Sequence, residues 1–202
     1  MVQKLRVRKI LTVLISGKAG VGKTTLADIL EKEITYYTTL TVERHPFADA
    51  VKSVARREFG WDGTKDSKGR NLLQVIGTEA GRQYNKDIWA NKVLNKIESG
   101  GNTRMFFPSI VLCDDWRYPN ERDVLKKSPL LDVVTIRIEA PNREVLRGTA
   151  YENHISETAL PGDVVRMMYY DYNVDNTGSM KELEKQAKKI LESLATKYFV
   201  KE

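Results

Sequence analysis

The sequence predicts an α/β fold of three layers, a parallel sheet wrapped by helices on both sides, and three observations carry that expectation. An apolar run, Ile10 to Ser16, ends at a glycine-rich turn from which a helical pattern starts. Further apolar runs alternate with helical patterns, and strands separated by helices pair in parallel. No repeat, no low-complexity segment and no tract rich in Pro, Gly and Ser divides the chain, so residues 1–202 are expected to form a single domain.

Ile10 to Ser16 is apolar and β-rich, the pattern of a strand buried on both faces. From Lys23 to about Glu33, Leu26, Ile29 and Leu30 recur at helical spacing. Tyr36 to Val42, rich in Tyr, Thr and Val, reads as a second strand, broken by His45-Pro46. Three helical patterns follow, at about Ala48 to Phe59, Arg70 to Tyr84 and Asp87 to Glu98, with Gly60 to Gly63 as the first turn between them. Ser109 to Asp114 and Val133 to Ile138 are two more buried strands, and Asp171 to Val174 a short fifth. Gly178-Ser179 opens a last helix with Leu183, Ala187, Ile190, Leu191 and Leu194 on one face.

Composition narrows the class. Hydrophobic residues at 41% and charged residues at 30% exclude disordered and collagen-like chains. The longest apolar run, Ile10 to Ile15, is far short of the ~20 residues a membrane-spanning helix needs, so no membrane role is expected. The N-terminus is basic (Lys4, Arg6, Arg8, Lys9), but Gly17-Lys18 puts charge where a signal-peptide cleavage site belongs, and a cytoplasmic location is expected. Cys113, the one cysteine, can form no internal disulfide and reads as core. The net charge of +6 suits a phosphorylated small molecule as well as a polyanion. Six lysines near the C-terminus alternate with glutamates, a solvated helix face rather than a nucleic-acid patch, so nucleic acid is not the expected partner. A homodimer is left open.

The chemistry starts at Gly17-Lys18-Ala19-Gly20-Val21-Gly22-Lys23-Thr24, which satisfies G-x-x-x-x-G-K-[ST] between a strand and a helix. Its backbone amides converge on phosphate oxygens, the helix N-terminus adds positive potential, Lys23 reaches the outer phosphates, and the Thr24 hydroxyl, followed by Thr25, ligates Mg²⁺. ATP and Mg²⁺ are therefore the expected cofactors. Asp114 and Asp115 close a buried strand at the edge where open α/β sheets bind ligands. Either carboxylate can serve the metal; the geometry of the strand end favours Asp115, and a helix cap is the plain alternative. A GTPase is disfavoured, because Asn85-Lys86-Asp87 is followed by Ile88 and no base-reading [NT]-K-x-D occurs.

The remaining blocks resemble the phage-type deoxynucleoside monophosphate kinases. They are Phe47-Ala48-Asp49-Ala50-Val51-Lys52, Phe59-Gly60-Trp61, Leu72-Leu73-Gln74 with Gly77-Thr78-Glu79-Ala80-Gly81-Arg82, Asp87-Ile88-Trp89, Asp115-Trp116-Arg117-Tyr118-Pro119-Asn120-Glu121, His154-Ile155-Ser156-Glu157 and Asp175-Asn176 with Gly178-Ser179. The likeness runs from about residue 11 to residue 190, and order and spacing give it its specificity. It implies a P-loop kinase fold with an acceptor-binding insertion at 47–98 and a lid at 141–160. It also implies transfer of the ATP γ-phosphoryl group to a deoxynucleoside monophosphate. Asp49, Lys52, Gln74, Thr78, Arg82, Trp89 and His154 would bind the acceptor, with Trp89 a stacking surface or core. Arg117 would reach the transferring group beside Lys23 and Asp115, and Arg143 and Arg147, four apart, would arm the lid. Asn176 and Thr177 would abut the donor base. Here Asp114 stands where the family has a small residue, which divides the metal role between neighbours. Alternatives are a kinase for another small acceptor such as dephospho-coenzyme A, and a nucleic-acid-stimulated ATPase.

Overall fold

The computed structural model describes residues 3–100, 108–143, 145, 148–149, 152–160 and 169–201. Its centre is a five-stranded sheet in which every pairing is parallel, formed by β2 (Ile10–Ser16), β3 (Val42–Arg44), β4 (Ile110–Trp116), β5 (Leu131–Glu139) and β6 (Tyr172–Asp175) in the order β3-β4-β2-β5-β6. β2 lies in the middle and is buried along its whole length. Successive side chains on a strand point to opposite faces, so this one run supplies two cores. Leu11, Val13 and Ile15 join the cluster under α1 (Lys23–Tyr37) and the last helix, α7 (Met180–Tyr198). Ile10 and Leu14 join the cluster under α4 (Ile88–Glu98) and α5 (Pro119–Leu125). The three layers expected from the sequence are these two helical layers and the sheet between them.

Two elements differ from expectation. Tyr36 to Val42 is not a strand: α1 runs on to Tyr37, because Leu26, Leu30 and Ile34 extend one buried stripe, and Tyr36 and Tyr37 stand exposed on its last turn. Only Val42–Arg44 pairs with β4. The helix expected over Arg70 to Tyr84 is α3 (Ser67–Gln74), capped by the Asp66 carboxylate on the Gly69 amide at 2.7 Å, followed by a π-helical stretch at Val75–Arg82. With α2 (Ala48–Phe59) these segments hold a small core of their own, Val51, Ala55, Ile76 and Trp89.

Outside the sheet, β1 (Leu5–Val7) and β7 (Phe199–Lys201) form an antiparallel two-stranded ribbon, in which Leu5 faces Lys201. A single turn, α6 (Ile155–Thr158), is capped by His154, whose Nδ1 accepts from the Ser156 amide at 3.2 Å. Cys113 is fully buried, and burial pushes its thiol well above the usual range. No helix among the described residues is long and apolar enough to cross a membrane.

Candidate active site

The loop between β2 and α1 opens the site. Gly22 caps α1 at φ 100°, a left-handed conformation open to glycine, and a Cβ there would lie 2.5 Å from the Asn176 amide nitrogen. No side chain caps the helix, which leaves its first amides free for an anion. Lys23 curls back so that Nζ donates to the carbonyls of Gly17 at 2.7 Å and Lys18 at 2.8 Å. Burial, reinforced by the nearby Arg117 charge, brings its pKa down to about 7.

The two aspartates part company at a β-bulge. Leu14 of β2 faces Cys113 of β4, but Ser16 faces Trp116, so β4 carries one extra residue in this interval. A bulge re-aims the side chains it contains. Asp114 turns to α1, where its Oδ2 accepts from the Thr24 hydroxyl at 2.8 Å. Asp115 turns the other way and accepts from the amides of Phe47 at 2.8 Å and Ala48 at 2.9 Å, at the start of α2. Withdrawal from water raises its pKa against those two bonds. The structure therefore brings Asp114, and not the Asp115 that the strand-end geometry favours, to the Thr24 hydroxyl, and gives Asp115 the capping contact. A threonine hydroxyl and a carboxylate oxygen at one spot are hard oxygen donors of the kind Mg²⁺ takes together with phosphate. Among the described residues no group of three or more His, Cys, Asp or Glu forms a protein-only metal site.

A cleft of about 700 Å³ opens from this edge, lined by Lys23, Thr24, Asp114 and Arg117 and, from the insertion, by Lys52, Gln74, Thr78 and Arg82. Arg82 is the best-defined group from the insertion. Its Nη2 donates to Glu121 at 2.6 Å and its guanidinium stacks 3.8 Å over the Tyr118 ring, whose hydroxyl lies 3.2 Å from that of Thr78. Nε and Nη1 of Arg82 are buried with no hydrogen-bond partner. Glu121 also receives the amides of Arg117 at 2.9 Å and Tyr118 at 3.0 Å. Burial pushes its carboxyl up to about 7, opposed by Arg82.

Of the other residues singled out in the sequence, His154 is in the cleft and most of the rest lie elsewhere. Trp89 is buried in the core of the insertion and donates from Nε1 to the Gly77 carbonyl at 2.8 Å; its ring is packing, not a stacking surface in the cleft. Asp49 is exposed and pairs with Lys52 at 3.1 Å. Arg143 reaches the Gly178 carbonyl at 2.6 Å and Asn176 at 3.4 Å, away from the cleft, and Arg147 lies outside the described residues. Asn176 is buried and donates to the Val21 carbonyl at 2.9 Å, so it supports the loop from behind, while Thr177 bonds back to Asp175 at 2.7 Å. His154 lines the cleft, and burial lowers its pKa. Thr25 lies in the first turn of α1, and Val21 is buried in the core cluster that this helix covers.

Three contributors were given no role by the sequence reading. Arg44 pairs with Asp28 at 2.6 Å and Glu31 at 2.8 Å and lies 3.8 Å from Asp114; nothing in its local sequence announces this. Glu121 was legible, since proline at the first position of a helix with glutamate two residues on is an N-terminal capping pattern. Glu157 stood in a quoted block without a role; it accepts from the Ala19 amide at 3.1 Å and binds Arg117 Nη1.

No protein-family model matches the chain, and neither does any curated protein. Solved structures similar to it include the hexameric APS kinase from Thiobacillus denitrificans, 15% identical over 95% of this chain with a TM-score of 0.46; the chain spans only 30% of that protein. They also include the Mycobacterium tuberculosis APS kinase in complex with AMPPNP and APS, 10% identical over 92% of this chain and 98% of that one with a TM-score of 0.48. A third is the shikimate kinase from Acinetobacter baumannii in complex with shikimate, 14% identical over 94% of each chain with a TM-score of 0.47. All three are kinases by name; the fold of this chain, a parallel five-stranded sheet flanked by helices, is read from its own topology.

Proposed function

We propose that the protein is an ATP-dependent kinase whose acceptor is a nucleoside monophosphate, a deoxynucleotide by the family resemblance. One observation supports this most: Arg82 lines the same cleft as the phosphate loop and keeps two nitrogens without a hydrogen-bond partner. A guanidinium held by Glu121 and Tyr118 with donors left over is built for a second anion. The cleft thus suits two phosphate groups, one on the loop and one on the insertion. On this reading residues 47–98 form the acceptor-binding part of a single domain.

In the reaction, an oxygen of the acceptor phosphate attacks the γ-phosphorus while the bond from that phosphorus to the bridging oxygen breaks and ADP departs with its electrons. Lys23, released from the carbonyls it now holds, sits against the outer phosphates. Arg117 neutralises charge as it spreads over the equatorial oxygens. Thr24 and Asp114 would hold Mg²⁺, which screens the β- and γ-phosphate charge when bound. The protein's task is positioning and electrostatics.

A coupled ADP-release assay across ribo- and deoxynucleoside monophosphates tests the reading. At least one deoxynucleoside monophosphate is expected to raise turnover above the acceptor-free background, with Arg82→Ala raising the acceptor KM at least ~10-fold, the worth of about one strong ionic hydrogen bond. Failure of every deoxynucleotide removes the acceptor, and dephospho-coenzyme A is then the next compound. Turnover that needs DNA or RNA would point to an ATPase instead.

A further inference from the structure

Glu157 has contacts that a simple surface helix would not require. Its side chain is only 6% exposed, although α6 is a single turn. One carboxylate oxygen accepts from the Ala19 amide, 3.1 Å away, and the other binds Arg117, whose same nitrogen also reaches the Ser156 carbonyl at 3.1 Å. The Ala19 carbonyl accepts in turn from the Val145 amide at 3.2 Å, so both polar groups of the Ala19 backbone are engaged. Glu157 also raises the proton affinity of Lys23, which places its charge near that ammonium. A loop amide, Arg117 and Lys23 are the three groups that an outer phosphate of a nucleotide would meet.

Resting on the kinase reading above, we propose that Glu157 is a carboxylate latch on the phosphate loop: it holds a phosphate-binding amide together with Arg117, and incoming phosphates must exchange with it. The single Ala19 N–H serves one anion at a time, and a phosphate that takes it meets the repulsion of the Glu157 carboxylate beside it. The exchange costs nucleotide affinity and frees Arg117 only when phosphate has arrived, so the arginine is delivered to the transferring group by the ligand itself. The latch opposes binding, whereas a residue that merely supports the lid would favour it. The sign of the effect separates the two roles.

The test is titration calorimetry with sodium tripolyphosphate and, separately, ATP, without acceptor, on the full chain. Tripolyphosphate reports on the phosphate cradle alone. Glu157→Gln keeps the shape and removes the charge; it is expected to bind both probes 3- to 10-fold more tightly than wild type. Glu157→Ala should tighten binding at least as much, and if it does not fold, the near-isosteric Gln variant decides. Unchanged or weaker binding by a folded Glu157→Gln overturns the latch. Lys23→Ala in parallel shows whether the probe sits on the loop: wild-type binding that depends on Lys23 without tightening in Glu157→Gln removes only the latch. No binding by wild type overturns both the latch and the kinase reading.

Discussion

At the scale of single residues, the bulge in β4 decides what two adjacent carboxylates do. Asp114→Asn leaves Thr24 a neutral partner and removes the charge from the proposed metal position, so the Mg²⁺ concentration for half-maximal activity is expected to rise at least ~10-fold, about 1.4 kcal/mol. Asp115→Asn replaces one of the two accepting oxygens by an NH2 donor that faces an amide N–H, so it should lower stability by ~1–3 kcal/mol with little change in Mg²⁺ dependence. Mg²⁺ titrations and thermal melts on both variants check this, and the opposite ranking would return the metal to Asp115. The sequence placed both carboxylates at the correct strand end but could not divide their roles, because a one-residue bulge leaves no mark in an apolar run. Lys23 carries a second prediction. Its pKa in the folded chain is lowered from 10.5 to about 7, so at pH 8 it is mostly neutral until a polyanion restores the proton. ATP binding at pH 8 should therefore take up a proton, and affinity should fall as pH rises above about 7, by up to ~10-fold per unit. The same shift makes the charged lysine a burden on folding below about pH 7, relieved as the pH climbs from about 7 towards 10.5. Calorimetry in two buffers of different ionisation enthalpy measures the uptake, which Lys23→Met should abolish; buffer-independent heats in wild type would contradict it.

Among elements, the π-helical stretch is the one that sequence periodicity could not supply. Apolar spacing over 70–84 reports a helix, and nothing in it distinguishes a widened turn from an ordinary one. Its consequence is spatial. Gly81 lies so close to Trp89 that a Cβ would be 2.6 Å from the ring and 2.8 Å from the Ile76 carbonyl. The tryptophan thus sets the position of the residue that follows, Arg82, from inside the core. Gly81→Ala should cost ~1–3 kcal/mol through overpacking and push Arg82 off its seat on Tyr118. Acceptor KM is then expected to rise more than kcat falls, measured beside the thermal melt; a stable variant with normal KM would show that the insertion adjusts freely. Trp89, offered by the sequence as either stacking surface or core, is core, and it touches the π-helical stretch both here and through its bond to the Gly77 carbonyl.

At the scale of the whole molecule, the parallel sheet and its layering were largely legible, since buried runs alternating with amphipathic helices leave few alternatives; the strand order was not, because it is set by long-range pairing. The site was legible where a motif names its own geometry, as from Gly17 to Thr24, and less so where partners come from distant segments. Arg44 meets Asp28, Glu31 and Asp114 only because β3 lies beside β4, and no local pattern carries that information. The short strands at either end went unread for the same reason: three residues each are too few for periodicity, and their pairing joins opposite ends of the chain. That ribbon has a mechanical meaning. Because Leu5 faces Lys201 and the strands run antiparallel, tension applied through the two ends pulls on the same edge of the ribbon and unzips it one rung at a time. The parallel sheet behind it, in which β2 is held on both sides, would instead have to shear. In an optical-trap experiment the molecule should give way first in a small, low-force extension from the ribbon and the end of α7. The phosphate loop, anchored at the centre, would keep its shape until the much larger rip that follows.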